Sequence, residues 1–149
     1  MFGFFLNGLS VFESLWYAIF HVAATQSNRF AISSDADRRS IELGTRGVDL
    51  LQVELPASEL VPPLKKLISA SEYSEWSSIR NVLAHRAAPP RNLFVGAPKP
   101  GTSDVWMESR LPQLGVLNEA TLRNRCDWLD VQVQQLIPAV EQFTNRIFP

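Results

Sequence analysis

One short run of this chain has residue types and spacing suited to chemistry: Arg80-Asn81-Val82-Leu83-Ala84-His85. Arginine holds a phosphate through two parallel, charge-assisted hydrogen bonds. Histidine exchanges a proton near neutral pH. Together they suit metal-independent RNA cleavage, in which a 2′-hydroxyl attacks the adjacent phosphate. His85 would be the acid or base, and Arg80 would stabilise charge growing on the phosphoryl oxygens. Asn81 is placed to orient the phosphate or the ribose. Arg86 and Arg91 follow with no acid between Arg80 and Arg91, so the backbone would meet a local positive patch. The same residues have a plainer reading, because Arg and His near a helix C-terminus also stabilise the helix dipole.

A helix must carry this run. On a wheel of 100° per residue, Trp76, Ile79 and Leu83 fall on one side, with Val82 flanking, and form the core face. Arg80 and His85 flank the opposite arc, with the small residues Ser77 and Ala84 between them and Asn81 one turn before His85. The sequence predicts this helix from about Glu72 to Arg86, capped by Ser71 and stopped by Pro89-Pro90.

The segment Glu75–Arg86, followed by Pro89-Pro90-Arg91, resembles the signature of HEPN-type proteins, all-α domains with an R-x4-6-H motif and often a polar residue directly after the Arg. The resemblance implies Arg80 and His85 as an active pair with Asn81 as helper, and cleavage of RNA without metal or cofactor. It further implies a homodimer whose two motifs face each other across a two-fold axis. A toxin or defence role would bring a cognate antitoxin or neutralising chain as partner. An acidic or polar residue from an earlier helix assists the pair in such domains, and Glu13, Ser14 and Tyr17 are the candidates here. The alternative is a non-catalytic dimerisation or nucleotide/RNA-binding module of the same fold.

The remaining chain reads as one helical domain. Its 149 residues suffice for a core without staples. With 46% hydrophobic and 19% charged residues it is ordinary globular material. A net charge of −1 excludes binding of polyanions by the global field. Cys126 has no disulfide partner, which fits a reducing compartment or indifference to it, and the expected location is cytoplasmic. No Cys/His cluster has zinc spacing. Cys126 reads as partly buried, and His21 as a satisfied residue on a polar stripe.

Phe4–Ala24 is apolar and near the length that spans a bilayer. The first basic residue is Arg29, so no signal-peptide n-region precedes it. Asn7, Ser10, Ser14, Tyr17 and His21 recur at spacings of 3 and 4, and Glu13 would be costly at a membrane centre. The expectation is a bundle helix over about Phe4–Thr25, its stripe forming an interhelical hydrogen-bond network in the core, and no membrane partner. Ser33–Asp37 reads as a helix cap, with short helical turns over Arg38–Gln52. Pro56–Glu59 should open a further helix with Leu60, Leu64, Leu67 and Ile68 inward. Arg91–Gly115 is a loop-rich insertion, with a hairpin predicted between Asn92–Val95 and Asp104–Met107. Asn118 would cap a long helix to Ile147. Its seam is Leu122, Cys126, Leu129, Val133, Leu136, Val140, Phe143 and Ile147, and Pro138 lies inside it. The tryptophans read as core, except Trp106 in the insertion. The sum is an all-α bundle of about four main helices with one irregular insertion.

Overall fold

The computed structural model of the chain describes residues 2–39, 41–85, 91–92, 105–107, 116–117 and 119–149. The fold is all-α, as the periodicities predict, with helices α1 (Phe2–Asn7), α2 (Ser10–Ala24), α3 (Asp35–Arg39), α4 (Thr45–Glu54), α5 (Val61–Ser69), α6 (Ser71–His85) and α7 (Glu119–Ile147). Three short strands, β1 (Arg91–Asn92), β2 (Val105–Met107) and β3 (Val116–Leu117), pair antiparallel in that order. Arg91 is opposite Trp106 and Asn92 opposite Val105, so the first arm starts one residue before the predicted Asn92–Val95, whose remainder lies outside the described residues, and β3 adds a strand that the sequence did not suggest. The expected Asn118 cap, the Pro89-Pro90 stop and most of the insertion lie outside the described residues.

The N-terminal helix is broken where the sequence predicts continuity. Gly8 and Leu9 form a turn between α1 and α2. The cause is Trp76 of α6, whose indole N–H donates to the Phe5 carbonyl at 3.0 Å. A Cβ on Gly8 would lie 2.2 Å from Trp76 Cζ2, so only glycine admits the ring. Phe4, Phe5 and Trp128 close around Trp76, with centroid separations of 4.7, 6.0 and 6.2 Å. Phe12 then meets Trp128 edge to face. One aromatic cluster thereby ties α1, α2, α6 and α7, where offset and edge-to-face pairs add to simple burial.

Phe12, Trp16, Ile19 and Ala23 form the buried face of α2, at spacings of 4, 3 and 4. The polar stripe lies on the other side: Ser14, Tyr17 and His21 are exposed. It is therefore not the core network expected from sequence. No helix among the described residues is long and apolar enough to cross a membrane.

Ser34 Oγ caps α3 by accepting from the Asp37 amide at 3.1 Å, and Asp37 accepts in return from the Ser33 hydroxyl and amide. These hydrogen bonds, the Ser33 hydroxyl foremost, hold the Asp37 carboxyl below its ordinary pKa. Helix α5 starts at Val61, later than predicted, with Pro62 and Pro63 in its first turn, where missing donors cost little. Pro56–Leu60 is a turn instead, and Ser58 Oγ there accepts from the Leu60 amide. In α7 the buried positions are Gln132, Leu136, Ala139 and Phe143. Leu122, Leu129, Val133, Val140 and Ile147 flank them, half-buried, while Cys126 is exposed, contrary to its predicted place in the seam.

Gly47 lies in the first turn of α4 beneath Trp16. A Cβ there would be 2.6 Å from Trp16 Cζ2. Alanine is favoured over glycine in helices by up to about 1 kcal/mol, but overpacking against a buried ring costs about 1–3 kcal/mol. Gly47→Ala should therefore be net destabilising in urea denaturation. A stabilised variant would mean that Trp16 yields freely.

Candidate active site

The Arg80 side of α6 opens on a cleft of about 650 Å³. Arg80, Asn81 and Ser77 come to it from α6, Glu13, Ser14 and Tyr17 from α2. Trp76 and Ile79 are buried on the opposite face, and Leu83 packs against the core, as the wheel predicts. The burial of that face turns Arg80 outward. The wheel of α2 does the same for Glu13, Ser14 and Tyr17, which lie away from Phe12 and Trp16.

Arg80 Nη1 donates to Glu13 Oε1, joining α6 to α2 across the cleft. The two side chains are 33% and 43% exposed, so water still reaches the pair. Such pairs contribute about 0–1 kcal/mol. A bound phosphate offers the Arg80 guanidinium two parallel charge-assisted hydrogen bonds and carries more negative charge than one carboxylate. A pair this weakly held does not bar a phosphate from competing with Glu13 for Arg80.

Tyr73 of α6 and the Ile41–Leu43 segment form the far wall. The Tyr73 hydroxyl donates to the Leu43 carbonyl at 3.2 Å. Burial, reinforced by the negative charges of Glu13 and Glu42 and opposed by Arg80, pushes the Tyr73 phenol up to about 12. The phenol thus stays a neutral donor across the physiological range. Because its folded pKa is raised, its contribution to stability is whole below pH 10 and is lost between about pH 10 and 12. In a Tyr17→Phe variant, which leaves Tyr73 as the single tyrosine, tyrosinate absorbance should rise with a midpoint near 12. A midpoint near 10 would show Tyr73 to be solvated.

Of the residues expected from sequence, the structure brings Arg80 and Asn81 into the cleft. His85 is the last residue of α6, one helical turn after Asn81 and about 7.5 Å along the axis from Arg80. Its side chain, like that of Arg91 at the start of β1, lies outside the described residues, as does Arg86 altogether. His21 is exposed and stacks edge to face on Tyr17, with ring centroids 4.5 Å apart. Tyr73, Glu42 and Ser77 are cleft residues that the motif does not flag. Tyr73 was discoverable, since it lies seven residues before Arg80, close to two helical turns. Glu42 was not, because no local pattern brings the Ile41–Leu43 segment to α6.

No protein-family model, curated protein or solved structure matches this chain.

Proposed function

We propose that the protein is a HEPN-type, metal-independent endoribonuclease acting at the Arg80 cleft. The observation that carries this reading is the placement of Arg80 and Asn81 together on an open cleft wall, with Glu13 of a second helix holding the guanidinium. Glu13 aims Arg80 while the cleft is empty and yields it to the phosphate of bound RNA. Arg80 then neutralises the charge developing on the phosphoryl oxygens, and Asn81 orients the phosphate or ribose. His85 removes the proton of the 2′-hydroxyl as that oxygen bonds to phosphorus, or protonates the departing 5′ oxygen. The products are a 2′,3′-cyclic phosphate and a free 5′-hydroxyl. In a homodimer with the two clefts facing across a two-fold axis, one His85 serves as base and the other as acid. Arg86 and Arg91 extend the positive track for the strand. A separate neutralising chain would fit a toxin or defence role, and action on RNA is consistent with a cytoplasmic protein.

Wild-type protein in excess EDTA is expected to cleave single-stranded RNA. A second reading draws on the charge of the cleft, where Glu13 and Glu42 outnumber Arg80. In that reading the Glu13–Arg80 pair is a structural tie in a non-catalytic module, and nucleotide, RNA or a second copy of the chain binds outside this cleft. Folded protein that leaves varied RNAs intact, yet binds one of these ligands firmly, would favour it.

A further inference from the structure

A second cavity, of about 530 Å³, opens on the other side of the Ile41–Glu42 wall, at the start of α4. We propose that it binds the oxyanion of a small ligand, a phosphate or a carboxylate. Four features converge there. The residue that caps helix α4 is Gly44, which offers no side-chain hydrogen bond, and the first turn holds no acid. The amides of Thr45, Arg46 and Gly47 therefore have no intrahelical acceptor, and the positive end of the helix dipole is uncompensated. Arg46 adds a further positive charge to that turn, an arrangement that disfavours the helix unless an anion offsets it. Arg29 lines the same cavity from the turn after α2, and neither guanidinium is paired with a carboxylate among the described residues. Finally, Trp16 is 1% exposed and lines the cavity, and its indole N–H has no acceptor among the described residues. The Cζ2–Cε2 edge of the ring lies against Gly47, 2.6 and 3.3 Å from the Cβ that residue lacks, and Nε1 is bonded to Cε2. A buried donor without an acceptor is costly, so this one points to a partner supplied from outside the chain.

Two carboxylates limit what the cavity takes. Asp37 lines it, but its oxygens accept from Ser33, which keeps it charged and engaged. Glu42 lines it from the shared wall and is exposed. Two arginines against two acids leave the cavity without net charge, so a single oxyanion is held by oriented donors and not by the field, and a polyanion such as nucleic acid is opposed. The walls contributed by Phe20, Ile32 and Leu50 suit an apolar body on the ligand.

Titration with inorganic phosphate and, separately, with acetate tests this, followed in ¹H–¹⁵N spectra with sodium chloride at matched ionic strength as reference. The Trp16 indole cross-peak is identified by its loss in Trp16→Phe. Saturable shifts of that cross-peak and of the Thr45–Gly47 amides are expected. Saturation by phosphate alone assigns a phosphate ligand, and saturation by both assigns the shared oxyanion chemistry. Arg46→Gln, at an exposed position, should weaken binding roughly tenfold, and the Arg29→Gln/Arg46→Gln pair should abolish saturation. Shifts no larger than those with chloride, or equal affinity in the double variant, would overturn the proposal. RNA cleavage has no part in the readout, so this outcome is independent of the reading of the Arg80 cleft.

Discussion

Trp76→Ala is expected to remove about 3–5 kcal/mol of folding stability, the range for deleting a buried tryptophan. Trp76 is fully buried, and its ring is enclosed by Phe4, Phe5 and Trp128. The cavity left behind could not collapse readily, because Gly8 has no side chain to move into it. The Phe5 carbonyl would also lose its indole donor at the break between α1 and α2. Natural domains hold only about 5–15 kcal/mol in total, so the variant should sit near the unfolding threshold at moderate temperature. Urea denaturation of wild type, Trp76→Phe and Trp76→Ala would rank them in that order. A loss below about 1 kcal/mol for alanine would mean that the aromatic cluster is not the keystone of the α1–α6 contact.

The largest functional effects are expected at Arg80 and His85. His85→Ala should lower RNA cleavage by about 10²–10⁴-fold, the range for a general acid or base. Arg80→Ala should lower it by about 10²–10³-fold, as for loss of a group aimed at developing oxyanion charge. Arg80→Lys should recover part of that, since an ammonium supplies the charge but not the bidentate fork. The Arg80 loss should not come from unfolding. The Glu13–Arg80 pair is partly exposed, so breaking it should cost at most about 1 kcal/mol. Cleavage rates at matched stability check this. Activity that survives both substitutions would remove the catalytic role from this cleft.

Much of the fold was legible because burial imposes its period on the sequence. Trp76, Ile79 and Leu83 stood out on α6, and the wheel that turned them inward also turned Arg80 outward. The α1–α2 break was not legible. Its cause is a ring 68 positions further along the chain from Gly8, and local pattern cannot report that contact. Cys126 stands outside the buried line for a related reason. Its spacing suited an ideal seam, but Gln132, Leu136, Ala139 and Phe143 set the buried line of α7, rotated from the predicted one. The polar stripe of α2 is legible as a stripe but its surroundings are not, since periodicity shows which residues share a face but not what lies opposite. Glu13 was a candidate without a position in the motif, and its ion pair with Arg80 now gives it a partner. Glu42 entered the cleft by tertiary placement alone.

The most direct test of the central claim is end-group analysis of RNA incubated with wild-type protein in excess EDTA. The account predicts 2′,3′-cyclic phosphate and 5′-hydroxyl ends, produced by wild type and lost in Arg80→Ala. Intact RNA, or 5′-phosphate and 3′-hydroxyl ends that require added metal, would contradict it.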